Sequence, residues 1–203
     1  VEKHFAGPGA PKMQFYAEQL VGTLDNVRRA RERHGLAAID LDAYRTALSP
    51  LPRREHAFPR AHTEAQHLPL YLITYKRMYR NQSGSTALNP ILNALGPDTD
   101  ENFVLINRAT AAALGIREDD EVVVETRVGR VRGKPRPTET IRPDTVAVSY
   151  HYGHVVPGWP EFASKGIWIN SVLESHPDPA SGMDSFNDTK CRVYRYDPAG
   201  QSA

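Results

Sequence analysis

The hydrophobic pattern along the chain changes character near residue 68. Before it, Leu20, Val21, Leu24 and Val27 recur at helical spacing, with Arg28, Arg29, Arg31, Glu32 and Arg33 on the remaining face, so one amphipathic helix is expected, stopped by Gly35. Met13 to Tyr16 alternates as a short strand, and Asp40 to Leu48 suits a second short helix. Residues 36–67 then read as a charged surface excursion, with Pro50, Pro52 and Pro59 among Arg53, Arg54, His56, Arg60, His62 and His67. After residue 68 the apolar runs become short and strand-like: Leu70 to Tyr75, Phe103 to Ile106, Glu121 to Thr126, Arg130 to Lys134, Thr145 to Tyr150, Gly166 to Ile169 and Cys191 to Tyr196. Between two of them lies a helix with Asn107 as N-cap, Arg108 to Leu114 as body and Gly115 as stop. Arg127-Val128-Gly129-Arg130 supplies a hairpin turn. Many short strands with one small helix predict a mixed, β-rich α/β fold, a barrel over 68–203 preceded by a helical arm over 1–67.

Composition narrows the function classes. The chain has 203 residues, and its 25 Lys and Arg against 24 Asp and Glu leave a net charge of +1. Arg127, Arg130, Arg132, Lys134 and Arg136 form a local basic run on the hairpin, but near-neutrality overall gives no footprint for nucleic acid. No apolar run approaches the ~18 residues that a membrane-spanning helix needs. The lone Cys191 excludes an internal disulfide and any multi-cysteine metal or iron–sulfur centre built from this chain alone. The chain starts at Val1 without the features of a signal peptide and is expected to be a fragment or a processed product.

Three polar groups are candidates for binding. The first β run delivers Lys76, Arg77, Arg80, Asn81, Gln82, Ser83, Gly84, Ser85 and Thr86 into one loop. Cations neutralise oxyanions, and amides and hydroxyls read heterocycle edges, so this composition suits a phosphorylated, heteroatom-rich ligand. The loop is neither a Walker loop nor a G-x-G-x-x-G turn. In Ser149-Tyr150-His151-Tyr152-Gly153-His154, residues three apart on a strand face opposite ways, which favours hydrogen bonding or packing by the histidines over a metal site. The third group, Asn170, Asp178, Ser181, Gly182, Asn187, Asp188, Thr189 and Lys190, precedes the last strand and acts in binding only if it meets the first loop in space.

These pieces occur in a familiar order. Leu68 to Lys76, Asn81 to Ser83, Val104 to Ile116, Asp119 to Thr126, Thr140 to Val146 and Phe186 to Val193 together resemble the C-terminal molybdopterin-dinucleotide-binding domain of the dimethyl sulfoxide reductase family, over about residues 68–196. Ser149 to His154 and Phe186 to Cys191 look most like the branch with tetrathionate, thiosulfate or polysulfide, and respiratory arsenate reductases. The resemblance implies a double-psi β-barrel that closes over a molybdopterin guanine dinucleotide carrying molybdenum, or tungsten in some relatives. It implies that Tyr75, Lys76, Arg77, Asn81, Gln82 and Ser83 line the dinucleotide, that His151, Gly153 and His154 approach the pterin, and that Asn170, Asn187 and Lys190 complete the other side. It also implies that the metal ligand and a 4Fe-4S cluster belong to the remainder of the catalytic subunit. Partners would be a membrane anchor and an iron–sulfur electron-transfer subunit, in or facing the periplasm.

Two rivals remain at this level. A stand-alone double-psi barrel would serve as a binding module without redox activity, with no need of the amide-rich loop. Gly84-Ser85 would allow autocatalytic pyruvoyl chemistry, which an intact chain mass disposes of. An aspartic protease is disfavoured because Asp144-Thr145-Val146 lacks the glycine of that active-site turn.

Overall fold

The computed structural model describes residues 16–17, 20–37, 40–41, 44–45, 47–51, 67–80, 85–95, 101–178 and 181–198. The chain divides into two compact units, Val1–Phe58 with Pro177–Met183, and Pro59–His176 with Asp184–Ala203. In the first, helix α1 spans Thr23–His34 and ends where Gly35 takes φ 61°. There the amides of Gly35 and Leu36 reach back to Glu32 O and Arg31 O, satisfying carbonyls that the helix leaves open. The described residues of 40–48 form turns and no α-helix, and of the strand expected at Met13 to Tyr16 only Tyr16, a bend, lies within the described residues.

The second unit is a mixed seven-stranded sheet: β1 Leu70–Tyr75, β2 Val104–Asn107, β3 Val122–Glu125, β4 Arg130–Gly133, β5 Pro135–Thr138, β6 Thr145–Ser149 and β7 Thr189–Arg195, in the order β4-β3-β7-β1-β6-β2-β5. β1 pairs parallel with β6, and β2 with β5; the β1–β7, β2–β6, β3–β4 and β3–β7 ladders are antiparallel. β1 sends Leu70, Leu72 and Thr74 inward, and β7 sends Thr189, Cys191 and Val193 inward. Together with Val104, Ile106, Val122, Val124, Val146 and Val148 they make one apolar core, closed by Ile116, Ile167, Ile169 and Val172. β6 is buried along its whole length, as a strand covered on both faces must be, which is why its sequence does not alternate.

Helix α2 spans Pro90–Ala94, with Asn89 Oδ1 accepting from the amides of Ile91 and Leu92. Helix α3, Arg108–Ala113, starts where Asn107 Oδ1 accepts from the Ala109 amide, and Gly115 follows it at φ 67°. Helix α4 is the single turn Glu161–Ser164. Two differences from the sequence reading have physical causes. β5 carries Pro135 and Pro137, which lack the N–H of a ladder donor, and it therefore sits at the sheet's edge. Gly166 to Ile169 is not a strand: Gly166 has φ 92°, the Ile167 backbone is held by the Asn102 side chain, and a 3₁₀ turn follows over Ile169–Val172.

Cys191 lies in the core, and burial pushes its thiol up to about 12. At pH 8 the thiolate is scarce and shielded, so no alkylation by iodoacetamide is expected in the native protein and full alkylation after denaturation. Labelling of the native chain at the denatured rate would show that the β1–β7 seam opens.

Candidate functional site

The site grows from the carboxyl ends of the central parallel pair. Tyr75 stands beside Ser149 in that ladder, and the Tyr150 amide still donates to Tyr75 O at 3.3 Å. Beyond this point the two chains separate, and the ends of parallel strands are where an α/β sheet opens a crevice. β7 stops pairing with β1 at Leu72–Thr189. The Thr74 amide and hydroxyl therefore donate to Asn187 Oδ1, at 2.8 and 3.1 Å, from the 3₁₀ turn that leads into β7.

The return segment after β6 is tightly placed. His151 has φ 75°, a left-handed backbone that a non-glycine residue adopts only where its surroundings enforce it, and Gly153 follows with φ 68°. The Gly153 amide donates to Lys165 O at 2.9 Å. Buried Asn102 ties the same crossing: its Nδ2 donates to Ser149 O (2.6 Å) and Ile167 O (3.1 Å), and its Oδ1 accepts from the Ile167 amide (2.6 Å). Tyr152 is buried between these layers with the Arg80 guanidinium 4.7 Å over its ring. Arg77 Nη1 donates to Glu101 O at 2.9 Å and lies 3.5 Å from the Tyr152 hydroxyl, while Arg80 Nη2 donates to Asn93 Oδ1. Burial raises the Tyr152 phenol above its ordinary value, against the pull of the two arginines, so it stays protonated.

Between these parts lies a cavity of about 440 Å³. Its polar lining comes from Thr74, Tyr150, His151, Asn170, Glu174, Ser175 and Asp184, and its apolar lining from Leu173 and Phe186. The His151 ring stands edge-on to Tyr150 at 4.2 Å, and its Nε2 is buried without a hydrogen-bond partner among the described residues. Burial, then His154, Lys76 and Arg80, lowers the His151 pKa, so the imidazole is neutral at pH 7 and sits at a cationic edge. Such a cavity offers ring-edge hydrogen bonding beside positive charge. Among the described residues no three His, Cys, Asp or Glu side chains are grouped to hold a metal ion, and no helix is long and apolar enough to cross a membrane.

Of the residues singled out from sequence, His151 and Asn170 line this cavity, and Tyr75 and Gly153 lie in the segments that frame it. Lys76 is exposed on the loop after β1, and Arg77 supports Tyr152. Asn187 braces Thr74, and His154 turns toward the rings of Trp159 and Trp168, with centroids 6.0 and 6.3 Å away. Lys190 lies elsewhere: its Nζ is 3.7 Å from the Tyr71 ring and 3.3 Å from Pro69 O, with β7 directing it away from the core face. Asn81, Gln82 and Ser83 lie outside the described residues. Tyr150, from the Ser149–His154 group, also lines it, and Thr74, Leu173, Glu174, Ser175, Asp184 and Phe186, none of them a sequence candidate for binding, complete the lining. Asp184 and Phe186 were readable as a polar-to-apolar step into the last strand; Glu174 carried no local signal.

Residues 70–190 match the family described as Molydopterin dinucleotide binding domain, and the chain belongs to that family, the cofactor-binding domain of the dimethyl sulfoxide reductase family of molybdopterin oxidoreductases. It is similar to the molybdopterin-containing subunit of an arsenate respiratory reductase from Chrysiogenes arsenatis, 27% identical over 194 residues, covering 87% of this chain and 22% of that protein. It is also similar to a selenate reductase subunit from Mesobacillus selenatarsenatis (32% over 160 residues, 62% of this chain, 15% of that one). A third relative is the molybdopterin-containing subunit of a thiosulfate reductase from Salmonella typhimurium (32% over 100 residues, 49% and 13%). This chain thus spans about a fifth or less of the length of these relatives. In fold it is similar to acetylene hydratase from Pelobacter acetylenicus, with a TM-score of 0.54 at 22% identity over 73% of this chain and 22% of that one.

Proposed function

We propose that this chain is the part of a molybdopterin oxidoreductase catalytic subunit that closes over a molybdopterin guanine dinucleotide, its sheet curling into the double-psi barrel. The observation that carries the reading is the cavity at the carboxyl ends of β1 and β6, which His151, with an Nε2 buried and without a hydrogen-bond partner among the described residues, lines together with hydroxyl, amide and carboxylate side chains. A heterocycle rich in donors and acceptors satisfies such a wall, and a dinucleotide's pyrophosphate is matched by the cationic edge. His151 and Asn170 hydrogen-bond the ring system, and Lys76 with Arg77, followed by Asn81 to Ser83, tracks the phosphates. Gly153 permits the close crossing that aims His151. Asn187 acts indirectly, by fixing Thr74. His154 and Lys190 are the weakest of the contacts, since one packs on tryptophans and the other lies on the outer side of β7.

When bound, the cofactor supplies two-electron chemistry at molybdenum or tungsten. The neutral imidazole of His151 holds a proton on one nitrogen and presents the other as an acceptor, which orients the ring without adding charge. The parent enzyme reduces a sulfur, arsenic or selenium oxyanion, a reading supported by the names of the arsenate, thiosulfate and selenate reductases that the chain resembles. A 4Fe-4S cluster in the rest of the catalytic chain, an iron–sulfur partner subunit, a membrane anchor and a periplasmic location complete the proposal, with residues 1–67 as a segment separate in sequence from the barrel domain of 68–203.

The test uses the full-length protein. Metal analysis is expected to find molybdenum or tungsten, and acid treatment is expected to release pterin and guanosine monophosphate. His151→Ala is expected to lower the cofactor content by about threefold to tenfold, the range for loss of a buried hydrogen bond. A wild-type protein without pterin would overturn the reading.

A further inference from the structure

Glu174 has a carboxylate that the fold uses only in half. It follows the 3₁₀ turn at Ile169–Val172 and is buried, with 4% of its surface exposed. Its backbone is fixed by Thr189, whose Oγ1 accepts from the Glu174 amide at 3.0 Å, and two residues earlier Thr126 Oγ1 donates to Val172 O at 2.6 Å. Oε2 accepts from Arg127 Nη2 (2.8 Å) and Nε (3.2 Å) and lies 3.1 Å from His176 Nε2. Oε1 is buried and accepts nothing among the described residues. Arg127 balances the charge but leaves the Oε1 lone pairs unfilled, an arrangement that is costly unless a donor arrives from elsewhere.

Glu174 lines the same cavity as His151, so two side chains with an unsatisfied buried atom border one space. We infer that Glu174 is the specificity-determining acceptor of this cavity, taking hydrogen bonds from the ring N–H and amino group of a 2-amino-4-oxopyrimidine, the edge that guanine and pterin share. This rests on the cofactor reading above. A carboxylate offers acceptors only, and that edge offers two adjacent donors. Cytosine and adenine place a ring acceptor beside their amino group, which a carboxylate repels. The residue thereby selects the heterocycle by its donor pattern and not by its charge.

The test is Glu174→Gln in the full-length protein. Because Oε2 faces Arg127, the glutamine carbonyl takes that place and its NH2 replaces Oε1, turning an acceptor into a donor while the Arg127 contact survives. Pterin and guanosine monophosphate per protein are expected to fall about tenfold or more. The melting temperature of cofactor-free protein, from a host unable to make the cofactor, is expected to stay unchanged. Glu125→Gln is the control, since Glu125 accepts from Arg192 and Tyr194 away from the cavity, and its cofactor content is expected to match wild type. In the residual loaded enzyme, a shifted Mo(V) resonance signal identifies the pterin edge as the ligand, and an unchanged signal identifies guanine. Wild-type cofactor content in Glu174→Gln would overturn the inference and leave the cofactor reading standing; absence of pterin from the wild type would overturn both. Should Glu174→Gln fail to fold, Glu174→Asp, which keeps the charge and withdraws Oε1 by one methylene, is measured in the same way, with the same loss expected.

Discussion

Gly153→Ala is expected to lower the melting temperature by roughly 10 °C. An added Cβ at this position would stand 2.6 Å from the Ile167 carbonyl carbon and 2.7 Å from Gly166 O, and closer still to the Trp168 amide nitrogen. All three are backbone atoms of a segment that Asn102 holds in place, so none can swing aside. The φ of 68° adds about 1–2 kcal/mol for any residue with a side chain. The combined cost is about 3–5 kcal/mol, and each kcal/mol moves the midpoint of a chain this size by about 2–4 °C. Two comparisons isolate the cause. Gly158 has φ 85° with nothing within 4 Å of an added Cβ, so Gly158→Ala is expected to show the strain alone. At Gly133 an added Cβ meets side chains and no backbone, crowding Ile167, with Cγ1 at 2.8 Å, and touching Val104 Cγ2 at an ordinary 3.7 Å, and Ile167 can rotate, so Gly133→Ala is expected to fall between them. Thermal melts followed by circular dichroism give the order directly. A Gly153→Ala chain that melts with Gly158→Ala would mean that the two segments do not cross as closely as described.

The parts of the fold legible in the sequence were those held by local rules. β1 is bounded as a short run of β-forming residues between turn-forming ones, and α3 by its asparagine cap and glycine stop, because those signals depend on immediate neighbours. The hairpin at Arg127 to Arg130 joined β3 and β4 as expected. What stayed hidden was whatever a distant partner decides. β5 reads as a proline-rich connection until β2 offers it an edge to pair with. Gly166 to Ile169 has a strand's composition, yet a single asparagine more than sixty residues away takes the hydrogen bonds that a neighbouring strand would have taken. The candidate site divides in the same way. His151 and Asn170 belong to polar groups visible in the sequence and both line the cavity, whereas Glu174 looks like any charged loop residue until Arg127, His176 and Thr189 surround it. Lys190 shows the reverse: the resemblance sets it on the cofactor's other side with Asn170 and Asn187, whereas strand parity lays its ammonium over the Tyr71 ring.

Asn102→Leu is expected to cost about 3–5 kcal/mol, because it removes three hydrogen bonds at once: the Ser149 carbonyl and the buried Ile167 amide lose the partner that this side chain supplies, and the Ile167 carbonyl keeps the Ile169 amide. Shape is nearly conserved, so the loss measures hydrogen bonding and not a cavity. Asn102→Asp gives a sharper result, because its effect depends on pH in a direction that the geometry dictates. Oδ1 of Asn102 accepts from an amide, which identifies Nδ2 as the atom facing the two carbonyls. In the aspartate variant an oxygen takes the place of Nδ2, and the ionised form sets negative charge against both carbonyl oxygens in a buried site. The protonated form donates to one of them. The native state therefore favours the proton, and the carboxyl's folded-state pKa lies above the unfolded value of about 3.9. A group shifted upward contributes its stability below the unfolded pKa and loses it as pH rises toward the folded one. The melting-temperature gap between wild type and Asn102→Asp is thus expected to be smallest near pH 4 and to widen toward pH 7, where the variant should resemble or fall below Asn102→Leu. A gap that stays constant or narrows over that range would place the two carbonyls away from this side chain, and with them the clamp that sets His151 and Gly153 at the mouth of the cavity.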